Sequence, residues 1–334
     1  MIKRLAVFII LLLFVFLFGN YFIQQVNWQN LATFNYVSNV SAIPVFLPKP
    51  KVNILAVGDM MFARGVYQSI KRNGNGDFSF SFANIPELKT DTDILIGNLE
   101  GPVTAGGKEA GNLYSFRFKP ELIPVLKNVG FDLLTVANNH AGDWGYLGFI
   151  DSLKNLEANN LPYVGGGFNY ASATEPVIIE KNGLKTGFLG FSDVGPSGLA
   201  IAQKRGGVLM VNEDDFSNII KKAVSPVDNL IVTIHFGEEY QPTHNGRQQR
   251  LAHEAIDAGA RVVIGHHPHV IQDDEKYGNG YIFYSLGNFI FDQNFSPETM
   301  QGLALGLELS KDGVIRVEKR LIKINNQFQP SFIK

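Results

Sequence analysis

The sequence predicts an α/β fold for the chain from Val52 onward, and three observations carry that expectation. Short apolar runs of strand length alternate with longer stretches of helical pattern. Most of those runs are continuous rather than alternating, as in strands buried on both faces. Several of them end in residues able to bind cations. With 334 residues, 45% hydrophobic and 18% charged, the chain can bury a sizeable core.

Lys3 and Arg4 precede an uninterrupted apolar run, Leu5 to Phe18, which resumes after Gly19 and Asn20 as far as Ile23. Leu5 to Ile23 is close to the about 20 residues that cross a bilayer as a helix. No Lys, Arg, Asp or Glu follows until Lys49, so Lys3 and Arg4 mark a cytoplasmic end. No small-x-small cleavage site or lipobox cysteine follows the run. Residues 1–23 are therefore expected to be an uncleaved signal anchor, a single membrane helix with the main domain outside the cytoplasm. Residues 24–50, rich in Asn and Gln and punctuated by Pro44, Pro48 and Pro50, read as a stalk leading to a domain over 51–334.

Within that domain "VNILAVGD" reads as a buried strand ending at Gly58-Asp59, and "TDILIGNLE" repeats the form to end at Glu100. "KPELIPVLKNVG" reads as a helix closed by Gly130. "FDLLTVANNH" is a strand with a polar tip, followed by a helix near Tyr146 to Asn159. "VIIEKNGLKTGFLGFSD" predicts a hairpin turning at Asn182-Gly183. "NLIVTIHFG" is a strand ending at His235, and "NGRQQRLAHEAIDAG" a helix from about Arg247. Val262-Val263-Ile264 is a further strand, after which Gly265 frees the backbone to turn into His266-His267-Pro268-His269. "YIFYSLGNFIFD" reads as one strand with a polar break at Ser285 to Asn288, and a last hairpin turns at Asp312-Gly313.

The strand ends carry the chemistry. Asp59, Glu100, Asn139-His140, His235 and His267-Pro268-His269 each close a buried-type strand, the place where α/β sheets hold ligands. Carboxylate, amide and imidazole together make a mixed N/O site suited to Mn, Zn or Fe rather than calcium. Two such cations sharing a carboxylate form the clamp used in phosphoester hydrolysis. Cysteine is absent, which excludes disulfides, thiolate sites and cysteine nucleophiles. A formal net charge of −2 offers no basic surface for nucleic acid. No Gly-x-Ser-x-Gly elbow occurs, so serine-hydrolase chemistry has no support.

The stretches "VGDMMFARGV", "GNLEGPVT", "ANNHAGDWGYLG", "HFGEEY", "GHHPHV" and "YSLGNFIFDQ" occur in this order between residues 52 and 293. In that order the chain resembles the CapA family of bacterial capsule (poly-γ-glutamate) synthesis proteins, whose domain is of the calcineurin-like metallophosphoesterase type. The resemblance implies a sandwich of two mixed sheets with helices outside. It implies two divalent metals, the first held by Asp59 and His269, with Glu100 as bridge, and the second completed by Asn139, His235 and His267. It also implies that His140 acts on substrate or leaving group without binding metal. Two departures from the wider phosphoesterase pattern stand out. Asp59-Met60-Met61 replaces the usual Asp-x-His, and Glu100 stands in for the usual bridging aspartate.

Other residues have more than one reading. Arg64 could meet an anionic substrate bidentately or form a helix-surface ion pair. His266 could bind metal or face a neighbouring strand. Glu238, Glu239 or Tyr240 could orient a ligand, and Asn288 and Asp292 break an apolar strand in a way that asks for polar partners. His244 reads as an exposed loop residue and His253 as a solvated helix face, while Gly165 to Gly167 read as a flexible turn. The resemblance implies a part in making, exporting or anchoring an anionic polymer, with a metal-dependent hydrolase site. A non-catalytic subunit of a membrane polymer synthase and a hydrolase of another cell-envelope substrate are the alternatives.

Overall fold

A computed structural model of the chain describes residues 49–333. The expected anchor over 1–23 and most of the expected stalk lie outside the described residues. Among the described residues, no helix is long and apolar enough to cross a membrane.

The strands are, in chain order, β1 (Val52–Met60), β2 (Ile94–Leu99), β3 (Leu133–Thr135), β4 (Tyr163–Val164), β5 (Gly166–Gly167), β6 (Val177–Lys181), β7 (Leu184–Ser192) and β8 (Gly207–Val208). There follow β9 (Asn229–His235), β10 (Val262–His266), β11 (Asp274–Tyr277), β12 (Gly280–Phe283), β13 (Asn288–Ile290), β14 (Gln301–Ser310), β15 (Gly313–Ile324) and β16 (Pro330–Phe332). One mixed sheet has the order β16-β15-β14-β1-β2-β3-β4, with β13 also paired to β1; a second has the order β11-β12-β10-β9-β7-β6. The pair β5-β8 stands apart.

Continuous apolar strands need cover on both faces, and both faces are covered. Alternate residues of β1 divide between two cores: Ile54 and Ala56 face β9 and β10 through Ile231 and Ile264, whereas Leu55 and Val57 face the outer helices. The helices Leu122–Val129 and Gly145–Ala158 close the outer face of the first sheet with Leu126 and Leu153. Helices Phe216–Val224 and Gly246–Asp257 close the second with Ile220 and Leu251. Two mixed sheets with helices outside are the sandwich expected from the resemblance.

Local signals place most ends. Gly130 closes its helix in the left-handed region at φ 109°. The helix read as starting near Arg247 begins at Gly246, behind a capping box in which Asn245 and Gln248 bond each other's backbone. Asn182 and Gly183 both have positive φ, the hairpin geometry whose twist matches that of the strands. Gly165 to Gly167 are not a flexible turn but a packed segment: a Cβ at Gly165 would lie 2.4 Å from that of Ala137.

One expected strand is two. "YIFYSLGNFIFD" leaves the second sheet as β12, beside β10, and enters the first as β13, beside β1. The polar break at Ser285 to Asn288 is the crossing between hydrogen-bond ladders. Gly287 carries it past β1, where its carbonyl accepts the Asp59 N–H at 2.9 Å. That approach needs Gly58, since a Cβ there would lie 1.9 Å from the Gly287 oxygen. Gly58→Ala is therefore expected to lower stability by about 1–3 kcal/mol through overpacking. An unchanged denaturant midpoint would show that the crossing segment does not lie against β1.

Candidate metal centre

The site lies where the carboxyl ends of β1, β2 and β3 meet those of β9 and β10. At Gly58 the register of β1 against β2 slips, so that Val57 faces Gly97 and Asp59 faces Asn98. This bulge turns Asp59 toward the gap between the sheets. Glu100 follows β2, with its N–H bonded to the Met60 carbonyl at 2.9 Å. His235 and His266 end neighbouring strands at the same level. The turn after His266 is strained, with His267 at φ 102° and His269 at φ 58°, values that L side chains seldom adopt.

Asp59, Glu100 and His235 are fully buried, and one ligand atom from each lies within 4.8 Å of the others. Glu239, His267 and His269 form a second such group. The two groups are in contact: His269 lies 3.3 Å from Asp59 and 3.4 Å from Glu100, and the ring of His267 is nearer that of His235 than that of His269, at 4.8 against 6.0 Å between centroids. Asn139 belongs to the same place: its Oδ1 is 2.9 Å from His235 Nε2.

Three atoms mark the cluster as a ligand set. Glu100 Oε1, His235 Nδ1 and His267 Nδ1 are buried with no hydrogen-bond partner. A native interior rarely leaves so many orphans together, and each is an atom that coordinates metals. Electrostatics agrees. Burial, then the charge of His267, holds His235 well below the usual imidazole range. Burial, then His269, lowers His267 to about 3. Both rings are thus neutral near pH 7, the form that binds metal.

The carboxylates have the opposite problem. Burial would raise Asp59, but hydrogen bonds and charge from His266 and His269 hold it well below the usual range. Burial, against the pull of His269 and with Asp59, Glu239 and Asp143 nearby, pushes Glu100 well above it. Burial would lower His269, yet Glu100 and Asp59 raise it to about 9. Burial pushes Glu100, and the neighbouring carboxylates push His269, toward the protonated form; both shifts answer buried negative charge, which a divalent cation would offset instead. The donor set fits such a cation.

The surrounding shell contains residues that the sequence left uncommitted. Asn98 Nδ2 donates to Asp59 at 2.8 Å and to Glu100 at 3.2 Å, fixing the two carboxylates side by side. Asn138 Nδ2 braces Asn98 and the Leu99 carbonyl. His266 Nδ1 lies 3.0 Å from Asp59 Oδ1, so it supports a carboxylate across the two sheets. Asn288 Oδ1 is 3.0 Å from His269 Nδ1, the polar partner that the break in its strand called for. Met61 is buried with Sδ bonded to the Ala63 N–H, so no imidazole enters from that position.

His140 stands at the rim. Its Nδ1 is 2.8 Å from Asp143 Oδ2, and its ring lies 3.9 Å from that of Phe116, centroid to centroid. Asp143 is buried and also accepts from Phe116 N and Asn112 Nδ2, so its position is over-determined. The pairing puts the proton on Nδ1 and leaves Nε2 free to work. Sequence spacing alone gave no reason to select Asp143. Arg64 lines the same cleft, partly exposed, and grips Asp292 through Nε and Nη2, so it is ion-paired at the edge of the site. His244 and His253 lie elsewhere, paired with Asp273 and Glu275 and stacked on Tyr284 and Tyr277.

The family model for "Bacterial capsule synthesis protein PGA_cap" matches residues 53–293. The chain belongs to this family. It is 36% identical over 272 residues to the PGA biosynthesis protein CapA of Bacillus subtilis, covering 80% of the chain and 70% of that protein. It is 37% identical over 254 residues to the capsule biosynthesis protein CapA of Bacillus anthracis, covering 74% of the chain and 61% of that protein. Among solved structures, a phosphatase from Mycoplasma pneumoniae aligns with a TM-score of 0.52 at 15% identity, over 82% of this chain and 94% of that one. The likeness extends the shared fold to a PGA_cap chain.

A cation that binds only the folded chain stabilises it by mass action, about 2.7 kcal/mol at one hundred times its dissociation constant. Mn²⁺ or Zn²⁺ is expected to raise the melting temperature, EDTA to reverse the rise, and His235→Ala to remove most of it. Equal shifts in wild type and His235→Ala would take His235 out of the ligand set.

Proposed function

We propose that this PGA_cap chain is a metal-dependent hydrolase of phosphoester type that serves the making, export or anchoring of an anionic capsule polymer such as poly-γ-glutamate. Its residues 1–23 would hold it to the cell membrane with the main domain outside the cytoplasm, beside the subunits of a polymer synthase. The observation that carries the reading is the meeting of Asp59, Glu100 and His235 within 4.8 Å beside a histidine whose working nitrogen is free.

In this reading Asp59, Glu100, Asn139, His235, His267 and His269, joined by Glu239, would hold two divalent ions. When bound, these supply Lewis-acid polarisation of a phosphoryl oxygen and lower the pKa of water. The rest falls to the chain itself. Asn98 and His266 keep the Asp59 carboxylate aimed. Asp143 fixes the tautomer and orientation of His140, as a carboxylate does for a working imidazole. A water oxygen adds to phosphorus as the P–O bond to the ester group breaks. His140 Nε2, unprotonated in this tautomer, is placed to take up the proton that the water gives up and to return it to that departing oxygen.

A second reading has its own support. Met61 takes the place where the wider phosphoesterase pattern has a histidine, so the site could bind polymer carboxylates as a non-catalytic subunit of the synthase. Metal content and hydrolysis of an aryl phosphodiester with Mn²⁺ separate the two. The hydrolase reading expects two metals per chain and turnover abolished in His267→Ala. His140→Ala is expected to lose about 10²–10⁴ in turnover, the usual worth of general acid–base catalysis, with its metals retained. Bound metal without turnover under any divalent ion would leave the binding-subunit reading standing.

A further inference from the structure

We propose that the cleft over this site takes the ester group of its substrate as a neutral planar group, stacked on Tyr114, Tyr240 and Phe295. The proposal rests on the hydrolase reading and names its substrate class. The cleft holds about 190 Å³, and Tyr114, Phe116, Tyr240, Phe291 and Phe295 form its aromatic walls, beside His140 and His269. Three of those rings face water: Tyr114 is 57% exposed, Tyr240 40% and Phe295 63%. Exposed apolar side chains scattered singly need no explanation, but rings gathered around one opening mark a binding surface.

These rings are ordered for contact. Phe295 meets Tyr240 edge-on, with centroids 5.0 Å apart and planes at 88°. Tyr240 is pinned at both ends: its N–H donates to the Pro268 carbonyl at 2.8 Å, and its hydroxyl accepts from Gln293 Nε2 at 3.1 Å. Its backbone takes φ 65°, a strained value that the neighbouring metal-site turn helps to maintain. Across the cleft, Tyr114 lies under the Arg64 guanidinium, 5.5 Å from ring centroid to carbon.

Charge selects among occupants. Arg64 is the one Lys or Arg among the described residues lining the cleft, and Asp292 already engages it. Glu239 adds negative charge to the same wall. A polyanion such as a glutamate chain would meet the carboxylates of Glu239 and Asp292 at this wall, with Arg64 already engaged. A neutral planar group avoids that repulsion and covers the exposed rings in the offset or edge-on geometry that aromatic groups favour. The class is therefore a phosphoester whose ester group is aromatic or unsaturated and uncharged, rather than the carboxylate polymer.

Phenylphosphonate and methylphosphonate carry the same anionic head and differ only in that group. Their dissociation constants for the full chain loaded with Mn²⁺ can be measured by calorimetry, without turnover. Phenylphosphonate is expected to bind about tenfold more tightly, the order of one good aromatic contact. Phe295→Ala and Tyr114→Ala should each cut the preference to about threefold or less. Equal affinities in the wild type, or a preference kept in both variants, would overturn the aromatic subsite and leave the hydrolase reading intact. Binding of neither phosphonate would overturn both. Displacement of phenylphosphonate by tetraglutamate would overturn the exclusion of polyanions on which the class rests.

Discussion

Two carboxylates buried side by side set the terms for the rest of this molecule. Asp59 and Glu100 are fully buried, share one asparagine donor, and sit where water cannot dissipate their charge. Such a pair survives in an interior only with compensating charge and full hydrogen bonding. His266 and His269 supply part of it from the opposite sheet, which makes the carboxylates a joint between the two halves of the sandwich. The orphaned nitrogens of His235 and His267 point to what supplies the remainder. An interior this polar is poor at holding a fold together by itself and well suited to holding cations.

The layers around that pair follow from it. Directly outside the ligand atoms lie amides and imidazoles that hold them: Asn98, Asn138, His266 and Asn288. Beyond these, His140 is set by Asp143 so that its free nitrogen faces the cleft. At the mouth come the aromatic rings and the Arg64–Asp292 pair. Each layer has less buried charge and more solvent than the one inside it, so the buried ligand atoms, the histidine and the aromatic mouth occupy successive depths.

Much of this was legible from local signals because it depends on local chemistry. Asp59, Glu100, His140, His235, His267 and His269 stood out as polar ends on apolar strands, and α/β sheets gather such ends along one edge. Turns at Asn182-Gly183 and Gly130 were legible because positive φ is a property of a few residues. Other features were not. Asp143 sits among ordinary helix-capping chemistry, three residues from the histidine it holds. Glu239 is an acidic residue in a charged loop. The split of residues 281–292 between two sheets was hidden because both halves are apolar and strand-like, and nothing local states which ladder each half joins.

The sequence by itself determined the strand and helix alternation, the hairpins, the family motifs and the residue types available for a metal centre. Periodicity, turn chemistry and side-chain basicity act over a few residues and can be read there. Only the tertiary structure decided which ligand atoms share a cluster, that His269 lies against both carboxylates, and that Arg64 is paired. It also decided that Gly58 must be glycine, because the oxygen that excludes a side chain there belongs to Gly287, far along the chain. Distances between groups remote in sequence depend on sheet order, register and bulges, and these arise from the packing of the whole domain.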